Sequence, residues 1–295
     1  MNFSCIHTHT VFCDGADDIE TYCRTAYEKR LVSIGFSAHA PILKKSGIES
    51  TWHLGEDRLE EYIAEVRAAG KRWEGKLPVY LGLEVDFISG IMGPADKDYR
   101  EMGLDFIIGA VHYVIPKSGD PFTVDDSAEE VDRNVKAILG GDSLAMVDAY
   151  WDCQEEMIRS GGFDLLAHPD LVKKNNKRNE SSENHLFCEN AESYRQRTAK
   201  ISALMAEAKV PAEINSGGLN RRKTKDCYPS LPFLKQFFEH GVPMVLNADA
   251  HCAAHLDGHY REACQALLGA GYTETLLFNG RKDGKAVWEK QKLPV

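Results

Sequence analysis

The chain has 295 residues, 43% of them hydrophobic, and a formal net charge of -10. That is enough apolar material for a sizeable core, and the acidic balance argues against a nucleic-acid or anionic-membrane partner, which would call for a basic face. No apolar run approaches the roughly 20 residues that span a bilayer, no C-x-x-C pair occurs among eight cysteines, and the start lacks a basic segment followed by an apolar one, so a cytoplasmic protein with reduced thiols is expected.

Short apolar runs rich in β-formers recur near 2–6, 32–38, 78–85, 104–110, 163–167, 210–214 and 242–248, with a weaker one at 275–278. Helical patterns fill the intervals: 17–29, 55–73, 94–102, 127–158, 191–208, 229–240 and 260–268. Strand followed by helix, repeated, predicts a parallel sheet in an α/β fold. A single barrel-like domain over 1–295 fits best, because barrels gather their sites at the C-terminal strand ends. The polar tract 173–189 reads as a solvated loop or as a basic flap, and 44–56, with Trp52, as a rim loop.

Metal-favouring side chains close most of the apolar runs. His7 and His9 follow the first, His39 the second, Glu84 lies on the third, His112 and His168 follow the fourth and fifth, and Asp249 and His251 follow the last. Residues i and i+2 of an extended chain share a face, so each close pair can reach one ion or two neighbouring ions. Six of the eleven histidines stand at such positions, and His53, His185, His240, His255 and His259 do not. Imidazole and carboxylate without thiolate suit zinc, manganese or iron better than a structural cysteine-rich zinc site.

The ordered segments His7-Thr8-His9-Thr10 with Asp14-Gly15 behind, Ala38-His39, Gly82-Leu83-Glu84-Val85-Asp86, Gly109-Ala110-Val111-His112, Ala167-His168-Pro169 and Asn247-Ala248-Asp249-Ala250-His251 resemble the PHP (polymerase and histidinol phosphatase) superfamily. Glu213-Ile214-Asn215-Ser216-Gly217-Gly218-Leu219, followed by basic residues, is similar to its monofunctional histidinol-phosphate phosphatase branch. The resemblance implies a distorted (β/α)7 TIM-like barrel with three divalent ions at the C-terminal strand ends. It implies that His7, His9, Glu84 and Asp249 hold the first ion, that Glu84 bridges to a second bound by His112 and His168, and that Asp14, His39 and His251 hold the third. In Asp14 it departs from relatives that use histidine, and Asp14 could instead begin a turn with Gly15.

The activity so implied is hydrolysis of L-histidinol phosphate to L-histidinol and inorganic phosphate in histidine biosynthesis. The alternative is a PHP phosphoesterase for nucleotides or phosphotyrosine. A hydroxide shared by two ions would attack phosphorus, with Glu84 and Asp249 as the carboxylates of the reacting pair. Phosphate needs donors beyond the ions, and Arg221, Arg222 and Lys173 are the candidates. Glu213, Asp86, Asp170 and Asn215 are available to a substrate ammonium or imidazole. Asp86 or Asp170 could instead cap a helix or steady a metal-bound histidine, and Trp52 and His53 could line a rim.

Overall fold

The computed structural model describes residues 3–42, 48–116, 121–176 and 185–294. Eight strands run parallel in one sheet, adjacent in the order β1 (Ser4–Cys5), β2 (Ser33–His39), β3 (Val79–Asp86), β4 (Phe106–Ala110), β7 (Leu165–Leu166), β8 (Ala212–Asn215), β9 (Met244–Asn247) and β10 (Glu274–Lys282), and β11 (Lys285–Lys292) pairs antiparallel with β10. Between β4 and β7 lies a separate two-stranded hairpin, β5 (Tyr113–Val114) and β6 (Phe122–Thr123). The helices are α1 (Ile19–Glu28), α2 (Leu59–Arg72), α3 (Lys97–Arg100), α4 (Ala128–Leu139), α5 (Ser143–Ser160), α6 (Glu192–Ala208), α7 (Gly217–Asn220), α8 (Leu231–Glu239) and α9 (Tyr260–Ala270).

The α/β class expected from the strand and helix alternation is the one found. Parallel strands buried on both faces are continuous apolar runs rather than alternating ones, and β2 is buried at all seven positions. Past their ends, β1 and β9 meet at a single parallel bridge, Thr8 to Ala250, where the His9 N–H donates to Ala250 O at 2.9 Å and the Ala250 N–H to His7 O at 3.1 Å.

Several elements differ from expectation for local reasons. The helical pattern over 127–158 is two helices: α4 starts where Ser127 accepts from the Glu130 N–H, and ends at Gly140, whose φ of 62° glycine adopts without steric penalty. Asp142 then caps α5. The run 94–102 yields only the four-residue α3. The weak candidate at 275–278 is the core of a nine-residue strand. Of the tract 173–189, residues 177–184 lie outside the described residues, as do 44–47 of the rim loop.

One apolar cluster, Ile6, Phe106, Ile108, Ala110, Leu165, Ala167, Val245 and Phe278, lies apart from the larger core that packs between sheet and helices. Phe106 fits because position 82 is glycine, where a Cβ would lie 2.4 Å from its ring. The β10–β11 hairpin supplies Phe278, packed edge-on at 4.8 Å to Tyr80, 5.3 Å to Phe106 and 5.2 Å to Trp288. Arg281 pins it by donating to Asp105 O and pairing with Asp164, residues that just precede β4 and β7. The hairpin thus sits at the N-terminal strand ends, which leaves the C-terminal ends to the polar residues. Among the described residues no helix is long and apolar enough to cross a membrane.

Candidate metal centre

His39 ends β2 and stands in register with Glu84 on β3, so a parallel ladder sets two candidate ligands side by side. His7 and His9 flank Thr8, whose hydroxyl donates to Gly35 O at 2.7 Å and whose N–H donates to Ser37 Oγ at 3.0 Å. Those two bonds keep the segment extended and both imidazoles on one face. Asp14 arrives on a turn in which the N–H groups of Cys13 and Gly15 donate to Thr10 O. Asp249 has φ 47°, a left-handed backbone that aspartate tolerates better than most residues.

All nine predicted ligands converge, and Glu84 lies at their centre. Its Oε2 is 2.9 Å from His39 Nδ1, 3.3 Å from His7 Nε2 and 3.6 Å from His9 Nε2. Its Oε1 is 2.9 Å from His168 Nε2 and 3.6 Å from His112 Nε2. The two oxygens of one carboxylate therefore face two different sets of imidazoles. Asp249 Oδ1 lies 3.2 Å from His9 Nε2 and 3.8 Å from His7 Nε2, and Asp14 Oδ2 lies 3.1 Å from His251 Nε2.

Four groups have donor atoms within 4.8 Å of one another: His7, His9 and Asp249; His7, Glu84 and His168; His39, Glu84 and His112; and His9, Asp14, His39 and His251. These groups cut across the three expected ion sets: His9 stands with the Asp14 group as well as with His7, His7 also stands with His168, and His39 with His112. The residues fit a cation on their own chemistry. His7 Nε2, His9 Nε2, His39 Nδ1 and Glu84 Oε2 are buried and crowd one another, yet none makes a well-directed hydrogen bond, His39 Nδ1 and Glu84 Oε2 included at 2.9 Å. Such orphaned atoms are costly unless something shared satisfies them.

Charge in the cluster is polarised accordingly. Burial opposes a proton on His7, yet Glu213, Glu84 and Asp249 outweigh it and hold its pKa well above the usual imidazole value. Burial is likewise overcome at His39, chiefly by Glu84, and at His112, which Asp86 and Glu84 push up to about 10. His9 goes the other way, to about 3, because burial is reinforced by His39 and His251. Despite burial, neighbouring cationic groups hold Glu84 and Asp249 well below the usual carboxylate range.

A second tier sits behind the ligands. Asp86 accepts from His112 Nδ1 at 2.8 Å and approaches His53 Nε2 at 2.7 Å, while Glu213 accepts from His7 Nδ1 and the His168 N–H. Asn215 donates to Glu213, and Asp170 accepts from the Ser230 N–H. All four residues expected as acceptors for a substrate cation are nearly inaccessible and bonded within the scaffold. The same-face spacing that marks His7 and His9 also relates Glu213 to Asn215, and it could have flagged them as a pair.

Arg221 is the arginine that turns inward: it donates to Asp249 Oδ2 at 2.7 Å and lies 2.9 Å from His251 Nδ1, whereas Arg222 is exposed. Lys173 is buried, its ammonium shared among Asp226 at 3.1 Å, Cys227 O at 2.8 Å and Asp170 at 3.2 Å. Asp226 and Cys227 tie it to the segment that follows Arg221. At the rim, Trp52 packs edge-on against His39 at 4.6 Å and lies 3.8 Å from the His53 ring.

An α/β fold with imidazoles and carboxylates clustered at its strand ends is that of a candidate metal-dependent enzyme. The sequence profile of the PHP domain matches residues 6–217, and the chain belongs to the PHP-domain family. A Deinococcus radiodurans protein named "Probable histidinol-phosphatase" is 28% identical over 277 residues, 94% of this chain and 96% of its own length. The histidinol-phosphatase of Bacillus subtilis (strain 168) is 25% identical over 271 residues, 86% of this chain and 95% of its own. Among solved structures, histidinol phosphate phosphatase from Lactococcus lactis, complexed with zinc, L-histidinol and phosphate, is 20% identical and superposes with a TM-score of 0.67, covering 97% of this chain and 99% of that one. The chain is a PHP-domain metal-dependent phosphoesterase related to histidinol-phosphatases.

Proposed function

We propose that the chain hydrolyses L-histidinol phosphate to L-histidinol and inorganic phosphate, with its 295 residues acting as one distorted-barrel domain. The observation that carries the reading is the position of Glu84, whose two oxygens face separate imidazole sets beside Arg221-bound Asp249. His7, His9, Glu84 and Asp249 would hold one ion, Glu84, His112 and His168 a second, and Asp14, His39 and His251 a third; about Glu84 the side chains themselves group differently, His7 standing with His168 and His39 with His112. Bound divalent zinc, manganese or iron would neutralise the phosphate dianion and activate the attacking water.

The protein's own part is placement. Arg221 offers a planar fork matched to phosphate oxygens once it exchanges Asp249 for the ester. Glu84 and Asp249 fix the donor set without thiolate. Beside the cluster, and reached through the packing of Trp52 on His39 rather than lined by any candidate ligand, a cavity of about 1090 Å³ carries Trp52, His53 and Tyr113 together with Glu49, Asp57, Asp126 and Glu130, a surround that favours a cationic aromatic alcohol over an anionic nucleotide. The free state of all eight cysteines supports a cytoplasmic setting. Phosphate release by elementally analysed protein is compared for histidinol phosphate, nucleoside monophosphates and phosphotyrosine. The first is expected to be cleaved with the highest kcat/KM, and a clear preference for another would overturn the proposal.

A further inference from the structure

Glu213 lies on β8, fully buried, and among the described residues its carboxylate is held by donors. His7 Nδ1 is 3.1 Å from Oε1 and 3.0 Å from Oε2; the His168 N–H donates to Oε1 at 2.8 Å, Asn215 Nδ2 to Oε1 at 2.7 Å, and Asn247 Nδ2 to Oε2 at 3.0 Å. The two amides cannot be the other way round. Asn215 Oδ1 accepts the Gly217 N–H at 2.8 Å and Asn247 Oδ1 the Ile6 N–H at 3.0 Å, which turns both NH₂ groups to Glu213.

A carboxylate of this kind only accepts, so the His7 Nδ1 must carry a proton, and in the neutral ring the Nε2 lone pair then faces Glu84 and Asp249. The same anion fixes the backbone of His168, on the opposite side of Glu84. We infer that Glu213 is a positioning residue that locks His7 into its ion-binding tautomer and ties it to His168, so that ligands served by different oxygens of Glu84 are set by one buried charge. This rests on the cluster being a metal centre, and not on which ester is the substrate.

Glu213→Gln keeps the volume but aims an amide N–H at a ring of donors, so at least one donor loses its acceptor and His7 is freed to tautomerise. The test is zinc titration of ion-free wild type and variant by calorimetry, with ¹⁵N spectra of the imidazoles in the zinc-loaded proteins. The expected result is about 10- to 100-fold weaker zinc binding, a retained ion at the Asp14, His39 and His251 group, and loss of the single Nδ1–H form of His7. Should the folded variant bind zinc with unchanged affinity and stoichiometry and keep that tautomer, the inference is overturned. If Glu213→Gln does not fold, Glu213→Asp keeps the charge and draws it back from His7 and the His168 N–H. It is expected to weaken zinc binding several-fold, and unchanged binding would again overturn the inference. Tyr272→Phe, which loses only a hydrogen bond to Val242 O, is the control for mere destabilisation and should bind zinc as wild type does. Wild type that binds no zinc would instead sink the metal-centre reading itself.

Discussion

Arg221 and Asp249 are joined across the rim of the cluster, the guanidinium donating to Oδ2 at 2.7 Å while Oδ1 faces His9. One carboxylate is thus shared between the candidate ion site and the one arginine of its loop that turns inward. Removing Arg221 should leave ion binding largely intact and remove a charged donor from the phosphate. Arg221→Ala is expected to lower kcat/KM about 100-fold, with metal content unchanged by elemental analysis. Arg222→Ala, at an exposed position, should stay within about twofold of wild type.

Glu84 is the residue whose loss should be most damaging. Five imidazoles, from four different strands or strand ends, approach it within 3.6 Å. Glu84→Ala is expected to lose at least one ion per chain and to reduce turnover by about 1,000-fold, the equivalent of several kcal/mol of transition-state stabilisation. Full activity with full metal content in this variant would remove its bridging role.

The strands were legible because parallel strands covered on both faces are unbroken apolar runs, and the clustered imidazoles and carboxylates because they stand where those runs end. Position relative to a strand could be read, but direction could not. Lys173 and Arg221 are equally basic in sequence, and only the placement of Asp226, Asp170 and the Cys227 carbonyl draws the former into a buried network. Glu213 looked like a substrate acceptor for a similar reason, since its bond to His7 spans 206 positions. The β10–β11 hairpin was nearly silent because β11, Lys-Ala-Val-Trp-Glu-Lys-Gln-Lys, is an edge strand whose charges face solvent and whose main anchor is Trp288.

That hairpin is expected to matter for stability more than for chemistry. Phe278 is 2% exposed and touches three aromatic rings at the strand ends remote from the ligands. Phe278→Ala should cost about 3–5 kcal/mol through lost burial and a residual cavity, visible as a lowered midpoint in urea. Zinc stoichiometry measured below that midpoint should be unchanged, and its loss would show that the hairpin shapes the ligand end as well.

Protons and ions compete for the same imidazoles, which gives the pH dependence a definite sign. In ion-free protein His112 is raised from 6.5 to about 10, by Asp86 and Glu84 against the effect of burial, and His7 and His39 are raised as well. A group raised on folding contributes stability that is complete below its unfolded pKa and is lost as pH climbs through the folded one. Stripped protein should therefore lose stability steadily between about pH 6.5 and 10. In loaded protein an ion takes the place of those protons, so its stability should not fall over that range, and affinity should rise with pH as fewer protons have to be displaced. Melting temperatures of chelator-treated and zinc-loaded protein, compared at pH 6.5 and 9, should diverge toward the alkaline end. A gap that narrows instead would mean that the imidazoles are not held protonated by Glu84, Asp86 and Glu213 when no ion is bound.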